Sequence, residues 1–234
     1  MSEPLLTIEH LEAAYGDARA LHGLDFSLNA GETLALIGAN GAGKSTLLKS
    51  ICGLVSNKSG RILFKGKDIA GLPANEIVKQ GIALVPEGRR LFPSLSVEEN
   101  LILGGKVKRS GHWSLDTIYS LFPILKEKRH APSTSLSGGQ QQMVAIGRAL
   151  MSNPDLLLLD ELSLGLAPII IKDIYELLPK ITGNGVTAIL VEQDVTRALH
   201  SASHFICLQE GHISLSGDPK LHTRDAITRA YFGT

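Results

Sequence analysis

Short apolar segments alternate with longer segments of helical periodicity along most of the chain. Strands are predicted at 5–11, 24–28, 33–38, 61–66, 81–86, 155–160 and 187–192. The last two are continuously apolar rather than alternating in polarity, which is typical of strands buried on both faces. Strands interleaved with helices predict an α/β fold with a mainly parallel core sheet, and the closely spaced early strands predict an added antiparallel β part.

The middle of the chain has a different pattern. Residues 88–150 show no strand pattern, and helices are predicted at 96–105, 114–125 and 137–151. The first of them carries a capping box, in which Ser96 is followed three residues later by Glu99. We therefore predict a single domain, 1–234, with its core formed by 1–87 and 151–234 and a helical subdomain inserted at 88–150.

Composition and charge narrow the class of protein. Lys and Arg number 23 and Asp and Glu number 23, so the net charge is zero and a nucleic-acid partner is not expected. The two cysteines have no metal-like or paired spacing, which fits a reducing compartment. The first 20 residues lack a signal-peptide pattern, and no run reaches the roughly 20 apolar residues of a membrane helix. These features predict a soluble, cytosolic chain.

The strongest local motif is "GANGAGKS", residues 38–45, which follows a predicted strand and precedes a predicted helix. It matches the P-loop pattern, whose glycines let the backbone N–H groups and the helix N-terminus bind phosphate. Lys44 is predicted to reach the β- and γ-phosphates, and the Ser45 hydroxyl to ligate Mg²⁺. The alternative is a glycine-rich turn with a chance lysine.

Two acids, Asp160 and Glu161, follow the buried strand "LLLL" with no basic residue beside them. A carboxylate at the end of an apolar strand must be solvated, paired or given a cation. Together with the P-loop, Asp160 is predicted to hold Mg²⁺ and Glu161 to act as a general base on the attacking water. Taken alone, the pair is better explained as a helix cap and a solvated neighbour, and it is the P-loop that reverses this preference.

A third motif, "LSGGQQQ" at 136–142, predicts a second phosphate-binding turn at the start of a helix over 140–152. One nucleotide already has its phosphates in the first loop, so a second turn of this kind needs another nucleotide or another subunit. The alternative is a helix N-cap, Ser137, followed by flexible glycines.

The order of these three motifs resembles the nucleotide-binding subunits of ABC transporters over nearly the whole chain, which implies the P-loop NTPase fold of ABC ATPases. In that family two such domains pack head to tail, and each "SGGQ" closes on the ATP held by the other P-loop. Tyr15 matches the aromatic residue that stacks on adenine, although it could be an ordinary strand-end tyrosine.

Two positions depart from the general family pattern. The residue after "GIALVP" is Glu87, where the family usually has a glutamine that touches Mg²⁺ and the attacking water. The switch histidine is replaced by Gln193, whose amide does not titrate near neutral pH and can only donate to a γ-phosphate. These changes are compatible either with a weakened ATPase or with a subfamily.

The segments 85–101, 163–171, 190–193 and 229–233 closely resemble LivF-type subunits of branched-chain amino acid importers, in which this glutamate and glutamine are usual. One mismatch is Leu162, which stands where proline is normal and predicts a looser turn after Glu161. Ala167 replaces a signalling aspartate, a change that the subfamily shares. The resemblance implies a LivG-type paralogue or a second copy as partner, transmembrane permease subunits, and indirectly a periplasmic solute-binding protein.

We therefore expect an ATPase subunit that powers an importer of branched-chain amino acids or related small amides, peripheral at the cytoplasmic face of the membrane. Leu91, Phe92 and Leu95 are candidates for contact with the permease, or for plain core packing. The alternatives are a non-transport ABC ATPase and an ATP-sensing module with little turnover. The expected catalytic residues are Glu161, Lys44 and Gln193; the Mg²⁺ ligands Ser45, Asp160 and Glu87; and the ATP-binding residues Tyr15, Gly38, Ala39, Asn40, Gly41, Ala42, Gly43, Lys44, Ser45, Thr46, Ser137, Gly138, Gly139 and Gln140.

Overall fold

The computed structural model describes residues 3–232, so Gly233 of the family-like ending lies outside the described residues. The strands are β1 (Leu6–Tyr15), β2 (Ala18–Leu28), β3 (Thr33–Ile37), β4 (Lys58–Phe64), β5 (Lys67–Asp68), β6 (Ile82–Val85), β7 (Leu156–Asp160), β8 (Thr187–Val191), β9 (His204–Gln209) and β10 (His212–Gly217). The helices are α1 (Lys44–Ile51), α2 (Ala74–Gln80), α3 (Val97–Gly104), α4 (Leu115–Leu121), α5 (Pro123–Glu127), α6 (Gly138–Leu150), α7 (Pro168–Thr182), α8 (Val195–His200) and α9 (Arg224–Phe232). Short 3₁₀ turns lie at Gly105–Val107, Ser133–Ser135 and Pro219–Leu221.

The chain forms two compact units, one built from the described residues up to Ile77 and from Thr187 onward, the other from Val78–Val186. In the first unit, an antiparallel sheet has the strand order β2-β1-β4-β5. Alternate residues of β1 are buried, so one face of this sheet covers the core while the other stays accessible. This sheet is the antiparallel part predicted from the early strands.

The first unit also contains β10, β9, β3 and β8 in that order. β3 lies parallel to both β8 and β9, while β10 is antiparallel to β9. β8 is buried at all five positions, as its unbroken apolar sequence predicts. On one side, α8 and α9 pack on Ala35, Ile37, Phe205 and Cys207 to close the core.

In the second unit, β6 and β7 pair in parallel, from Ile82 opposite Leu156 to Val85 opposite Leu159. The long helix α6 packs closely on α3 through two glycines. A Cβ on Gly104 would overlap the Arg148 carbonyl, and one on Gly147 would meet Leu101 and Ile118 at 2.8 and 3.0 Å. The close packing of the two helices therefore requires that both positions lack a side chain.

The predicted α/β fold is confirmed, and each predicted strand is present with ends shifted by a few residues. The single helix predicted at 114–125 is wrong: it breaks at Phe122, and α5 starts anew at Pro123. A residue before proline avoids the helical region, and Phe122 accordingly has φ −129° and ψ 78°. The predicted subdomain boundaries, 88 and 150, fall inside the second unit and stay a prediction. No helix among residues 3–232 has the length and apolar character to cross a membrane.

Candidate functional site

The "GANGAGKS" loop joins the carboxyl end of β3 to the first turn of α1. Gly38 and Gly43 fix its course, with φ values of 149° and 103°. A Cβ on Gly38 would overlap the Leu208 carbonyl, and one on Gly43 would lie 2.8 Å from the Ala20 carbonyl. The loop therefore lies against β2 and β9 more closely than any other residue type allows.

Lys44 begins α1 and is only 5% exposed. Its ammonium curls back over the loop and donates to the carbonyls of Gly38 at 2.7 Å and Ala39 at 3.0 Å. Asn40 and Gly41, at the outer side of the same loop, are exposed. A buried cation beside a helix N-terminus and a glycine loop gives this region the charge and the open backbone that a phosphate chain requires.

Gln193 lies at the same edge of the first unit. Leu36 of β3 is opposite Val191 of β8 in the parallel pair, so Gly38 and Gln193 both stand two residues beyond the paired positions. Gln193 is exposed, and the next residue, Asp194, caps α8 by accepting from the Arg197 amide at 3.0 Å. We call the P-loop (38–46) together with Gln193 the phosphate edge.

Tyr15 is the last residue of β1 and pairs with Ala18 across a tight hairpin turn. Its side chain is 51% exposed. An exposed aromatic ring at a strand end leaves a face available for stacking. The structure thus presents Tyr15 as accessible, in line with the adenine-stacking role that the family resemblance implies.

Three carboxylates share the carboxyl edge of β6 and β7 in the second unit. Because Val85 is opposite Leu159, Glu87 and the pair Asp160 and Glu161 follow neighbouring parallel strands. Asp160 is 4% exposed, whereas Glu87 is exposed. Glu161 has φ 49°, the left-handed region that costs a non-glycine residue energy and recurs at functional sites. We call these three residues the acidic edge.

The turn after Glu161 is formed by a hydrogen bond from the Leu164 amide to the Glu161 carbonyl at 3.3 Å. Leu162, at the position where the family resemblance implies proline, is 1% exposed. Burial of its side chain holds the turn in place, whereas a proline would restrict the backbone. Further along, Ala167 is the N-cap of α7 and offers no side-chain cap. An aspartate in its place would be a favourable cap.

The "SGGQ" turn opens α6 with a capping box. The Gln140 amide donates to the Ser137 hydroxyl at 3.3 Å, and the Ser137 amide donates to the Gln140 side chain at 3.1 Å. A Cβ on Gly139 would overlap Ile170 of α7, and one on Gly138 would lie 3.1 Å from the Arg89 guanidinium. Ser137 therefore acts as the N-cap of α6 in this structure. Binding of phosphate by this turn stays a prediction.

Sequence reasoning missed the side chains that fix the β6–α3 loop (residues 86–96), which carries Glu87. Arg148 and Ser133 reach this loop from α6 and from the turn before it, and Asn100 reaches back from α3. The partners of Arg148 and Ser133 are far away in sequence, so no local pattern indicates them. The one visible signal is Asn100 itself, a buried amide beside the apolar Leu101 in a helix.

A glycine loop that wraps a buried lysine at the carboxyl end of a parallel strand defines a P-loop nucleotide-binding protein. The family model described as "ABC transporter" matches residues 21–163, which include the P-loop, the signature turn and the acidic pair. The chain belongs to the ABC transporter family and is an ATP-binding ATPase of it.

Within that family the similarity is more specific. The chain is 45% identical over 232 residues to the high-affinity branched-chain amino acid transport ATP-binding protein BraG of Pseudomonas aeruginosa, covering 98% of this chain and 100% of that protein. It is 34% identical to the probable branched-chain amino acid transport ATP-binding protein LivF of Archaeoglobus fulgidus, covering 91% and 92% of the two chains. The resemblance to LivF-type subunits is thereby confirmed.

Among solved structures, the chain matches a dimeric ATP-binding cassette in a post-hydrolysis state bound to ADP and inorganic phosphate. The TM-score is 0.81 at 26% identity, covering 92% of this chain and 98% of that one. That cassette is a dimer with nucleotide, which supports pairing of ABC ATPase domains of this fold.

Proposed function

We propose that this chain is the ATP-hydrolysing subunit of an ABC importer for branched-chain amino acids or related small amides. The observation that carries the proposal is the buried Lys44 ammonium lying across a loop whose Gly38 and Gly43 leave no room for a Cβ. The full-length similarity to BraG supports the solute class. The chain would work at the cytoplasmic face of the membrane as a peripheral subunit.

At the phosphate edge, the backbone of 38–43 and the side chains of Lys44, Ser45 and Thr46 would hold the triphosphate. Lys44 places a point charge on the β- and γ-phosphates, where negative charge is concentrated during transfer. Tyr15 would stack on the adenine. Gln193 would donate its amide to the γ-phosphate, and because it cannot exchange protons near neutral pH, it positions rather than titrates.

The acidic edge has the donors that Mg²⁺ prefers, because carboxylate and hydroxyl oxygens suit a hard cation. Asp160 would ligate the metal together with the Ser45 hydroxyl, and Glu87 would face it, directly or through water. Mg²⁺, when bound, supplies charge neutralisation of the phosphates. Glu161 would accept a proton from the attacking water, and its left-handed backbone sets the direction of its Cα–Cβ bond.

A second ATPase subunit, a copy or a LivG-type paralogue, would pack head to tail on this one. Ser137, Gly138, Gly139 and Gln140 would then contact the ATP held by the partner's P-loop. Gln193 makes this chain's own site the slower one if the partner has a histidine there, because a group that can transfer protons is replaced by one that cannot.

The permease contact is proposed for the part of the β6–α3 loop that follows Glu87. Phe92 is 50% exposed, while Leu91 and Leu95 are half-buried beside it. An exposed aromatic residue with apolar neighbours suits the apolar face of a helix from a membrane subunit. A periplasmic binding protein would act only through that permease.

The test is leucine uptake by cells that lack the chromosomal gene and carry it on a plasmid. Wild type should restore ATP-dependent uptake, and Glu161→Gln should not, although it is expressed to the same level. Spermidine and ribose uptake serve as controls for solute class. Uptake that is unchanged by the gene would contradict the branched-chain assignment, while purified protein that still hydrolyses ATP would leave the ATPase assignment intact.

A further inference from the structure

The β6–α3 loop has an unusual backbone for its sequence. Arg89 and Arg90 are successive residues with φ of 66° and 47°, the left-handed region that L side chains rarely adopt. Non-glycine residues hold this conformation only where their surroundings enforce it. The Arg89 amide donates to the Pro86 carbonyl at 3.2 Å and the Arg90 amide to the Gly88 carbonyl at 2.7 Å, and a restraint from outside the loop adds to these turn bonds.

Arg148 of α6 provides that restraint. Its guanidinium donates from Nη1 to the Arg90 carbonyl at 2.8 Å and from Nη2 to the Arg89 carbonyl at 3.1 Å. Its central carbon also lies 5.6 Å from the centre of the Phe92 ring. A planar fork can bridge two carbonyls in this way, whereas a lysine ammonium acts as a single point charge. No carboxylate of residues 3–232 forms an ion pair with Arg148. Its guanidinium interacts instead with the two loop carbonyls and the Phe92 ring.

The same loop returns to α6 through a second side chain. Arg89 Nη1 donates to Gln141 Oε1 at 3.3 Å, and Gln141 Nε2 donates to the carbonyls of Ser133 and Leu136 at 3.3 and 3.2 Å. The Ser133 hydroxyl in turn donates to the Phe92 carbonyl at 3.0 Å. These hydrogen bonds link the loop to Gln141, Gln141 to the turn at Ser133, and Ser133 back to the loop. Gln141 directly follows the "SGGQ" turn.

Both contacts leave α6 from one side. Gln141 and Arg148 are seven residues apart, which places them on the same helix face two turns from each other. The loop, the turn before α6 and α6 itself are therefore joined at two separated points. A displacement of Phe92 would therefore break these contacts or move Arg148 and the segment that leads into the signature turn with it.

We propose that Arg148 is a positioning residue that couples the β6–α3 loop to the "SGGQ" turn. The proposal rests on the proposed function, in which this loop receives the membrane subunit and the turn contacts ATP in a second subunit. When the membrane subunit binds at Phe92, the displacement of the loop reaches the start of α6 through the two Arg148 hydrogen bonds and the Arg89–Gln141 bond. Arg148 itself touches neither nucleotide nor metal.

The first test uses the full transporter in lipid nanodiscs. Arg148→Lys keeps the charge but loses the fork, so ATPase stimulation by the membrane subunits should fall about 5–20-fold. Basal hydrolysis by the isolated chain and its KM for ATP should change by less than about twofold. The matched control is Arg90→Lys, because Arg90 is exposed and meets Arg148 through its backbone carbonyl rather than its side chain. Arg89→Ala, which breaks the link to Gln141 alone, should give the same loss of stimulation as Arg148→Lys.

An equal fall in basal and stimulated rates would overturn the coupling role and leave Arg148 a folding residue.

The second test is hydrogen exchange on the isolated chain, which needs no membrane subunit. Arg148→Lys should speed exchange at amides of both 89–95 and 137–141, by about fivefold or more. Faster exchange in the loop alone would refute the coupling. If wild type shows no stimulation, the proposed function fails and hydrogen exchange alone decides the coupling.

Discussion

The phosphate edge and the β6–α3 loop are positioned by different physical means. At the phosphate edge, glycines let the backbone lie directly against the carbonyls of Ala20 and Leu208, and the one critical side chain folds back onto its own loop. The β6–α3 loop has a strained backbone that is restrained by side chains from elsewhere, Arg148, Asn100 and Ser133.

This difference predicts opposite sensitivities. A region fixed by backbone proximity tolerates little added volume but depends on few distant partners. A loop fixed by side-chain hydrogen bonds tolerates volume changes at its surface but loses its shape when one donor is removed. Substitutions at each region therefore separate the two mechanisms.

The largest effect is expected at the acidic edge, next to that loop. Glu161→Gln removes the general base and should lower ATP turnover about 10²–10⁴-fold while ATP still binds. Asp160→Asn should instead lose the Mg²⁺ dependence of nucleotide binding. The measurements are phosphate release and nucleotide affinity with and without Mg²⁺, together with sizing columns.

Glu161→Gln with ATP, Mg²⁺ and its ATPase partner should elute as a stable dimer. If only monomer is found under those conditions, the head-to-tail arrangement is wrong. If Glu161→Gln keeps its turnover while Glu87→Gln loses it with ATP still bound, the base is Glu87 and the role assigned to Glu161 is wrong.

A smaller effect is expected when the loop loses its internal support. Asn100 accepts from the Phe92 amide at 2.9 Å and donates to the carbonyls of Phe92, Leu95 and Ser96. Asn100→Ala leaves these buried groups without that partner, so the free energy of unfolding should fall by about 1–3 kcal/mol. Urea titration measures this change.

Asn75 gives the matched control, because its exposed amide bonds only to Glu76 next to it. Asn75→Ala should change the unfolding free energy by less than about 0.5 kcal/mol. Equal destabilisation by the two substitutions would show that Asn100 does not support the loop.

The smallest effect is expected for Gly41→Ala, which should lower stability slightly and also weaken ATP binding. Gly41 and Gly31 have φ of 82° and 80°, and a Cβ on either would meet nothing within 4 Å. Alanine at each should therefore cost about 1–2 kcal/mol of stability through backbone strain alone. Because Gly41 lies in the P-loop, only Gly41→Ala should also weaken ATP binding.

Calorimetric titration with ATP distinguishes the two variants once their melting temperatures have been matched. Equal affinity in both would mean that the open space at Gly41 is not where phosphate binds. Weaker ATP affinity in both variants would mean that backbone strain lowers binding by destabilising the fold rather than by changing the P-loop.

The course of the P-loop from a strand into a helix could be predicted from the sequence because its determinants are local. The glycines and Lys44 are adjacent, and the apolar runs before Gly38 and Asp160 mark buried strands. Ser96 with Glu99 likewise predicts a capping box, which the structure contains. In each case a motif and its structural cause lie within a few residues of each other.

Other features were missed because their causes are distant or weak. The left-handed Arg89 and Arg90 depend on Arg148, 59 and 58 residues further along the chain, and arginine has no preference for that conformation. The β9–β10 hairpin was missed because β9 is a short run that gains its stability from pairing with β3. The break at Phe122 was visible in Pro123 and was outweighed by the helical pattern around it.

The central claim, ATP hydrolysis that depends on the P-loop lysine, is tested most directly by phosphate release from Mg²⁺-ATP with Lys44→Ala. The control is Lys49→Ala, an exposed lysine of the same helix. Lys44→Ala should lower turnover by at least about 10²–10³-fold and weaken nucleotide binding, since it removes the charge on the transferred phosphate. Lys49→Ala should match wild type. Wild-type turnover in Lys44→Ala would contradict the account.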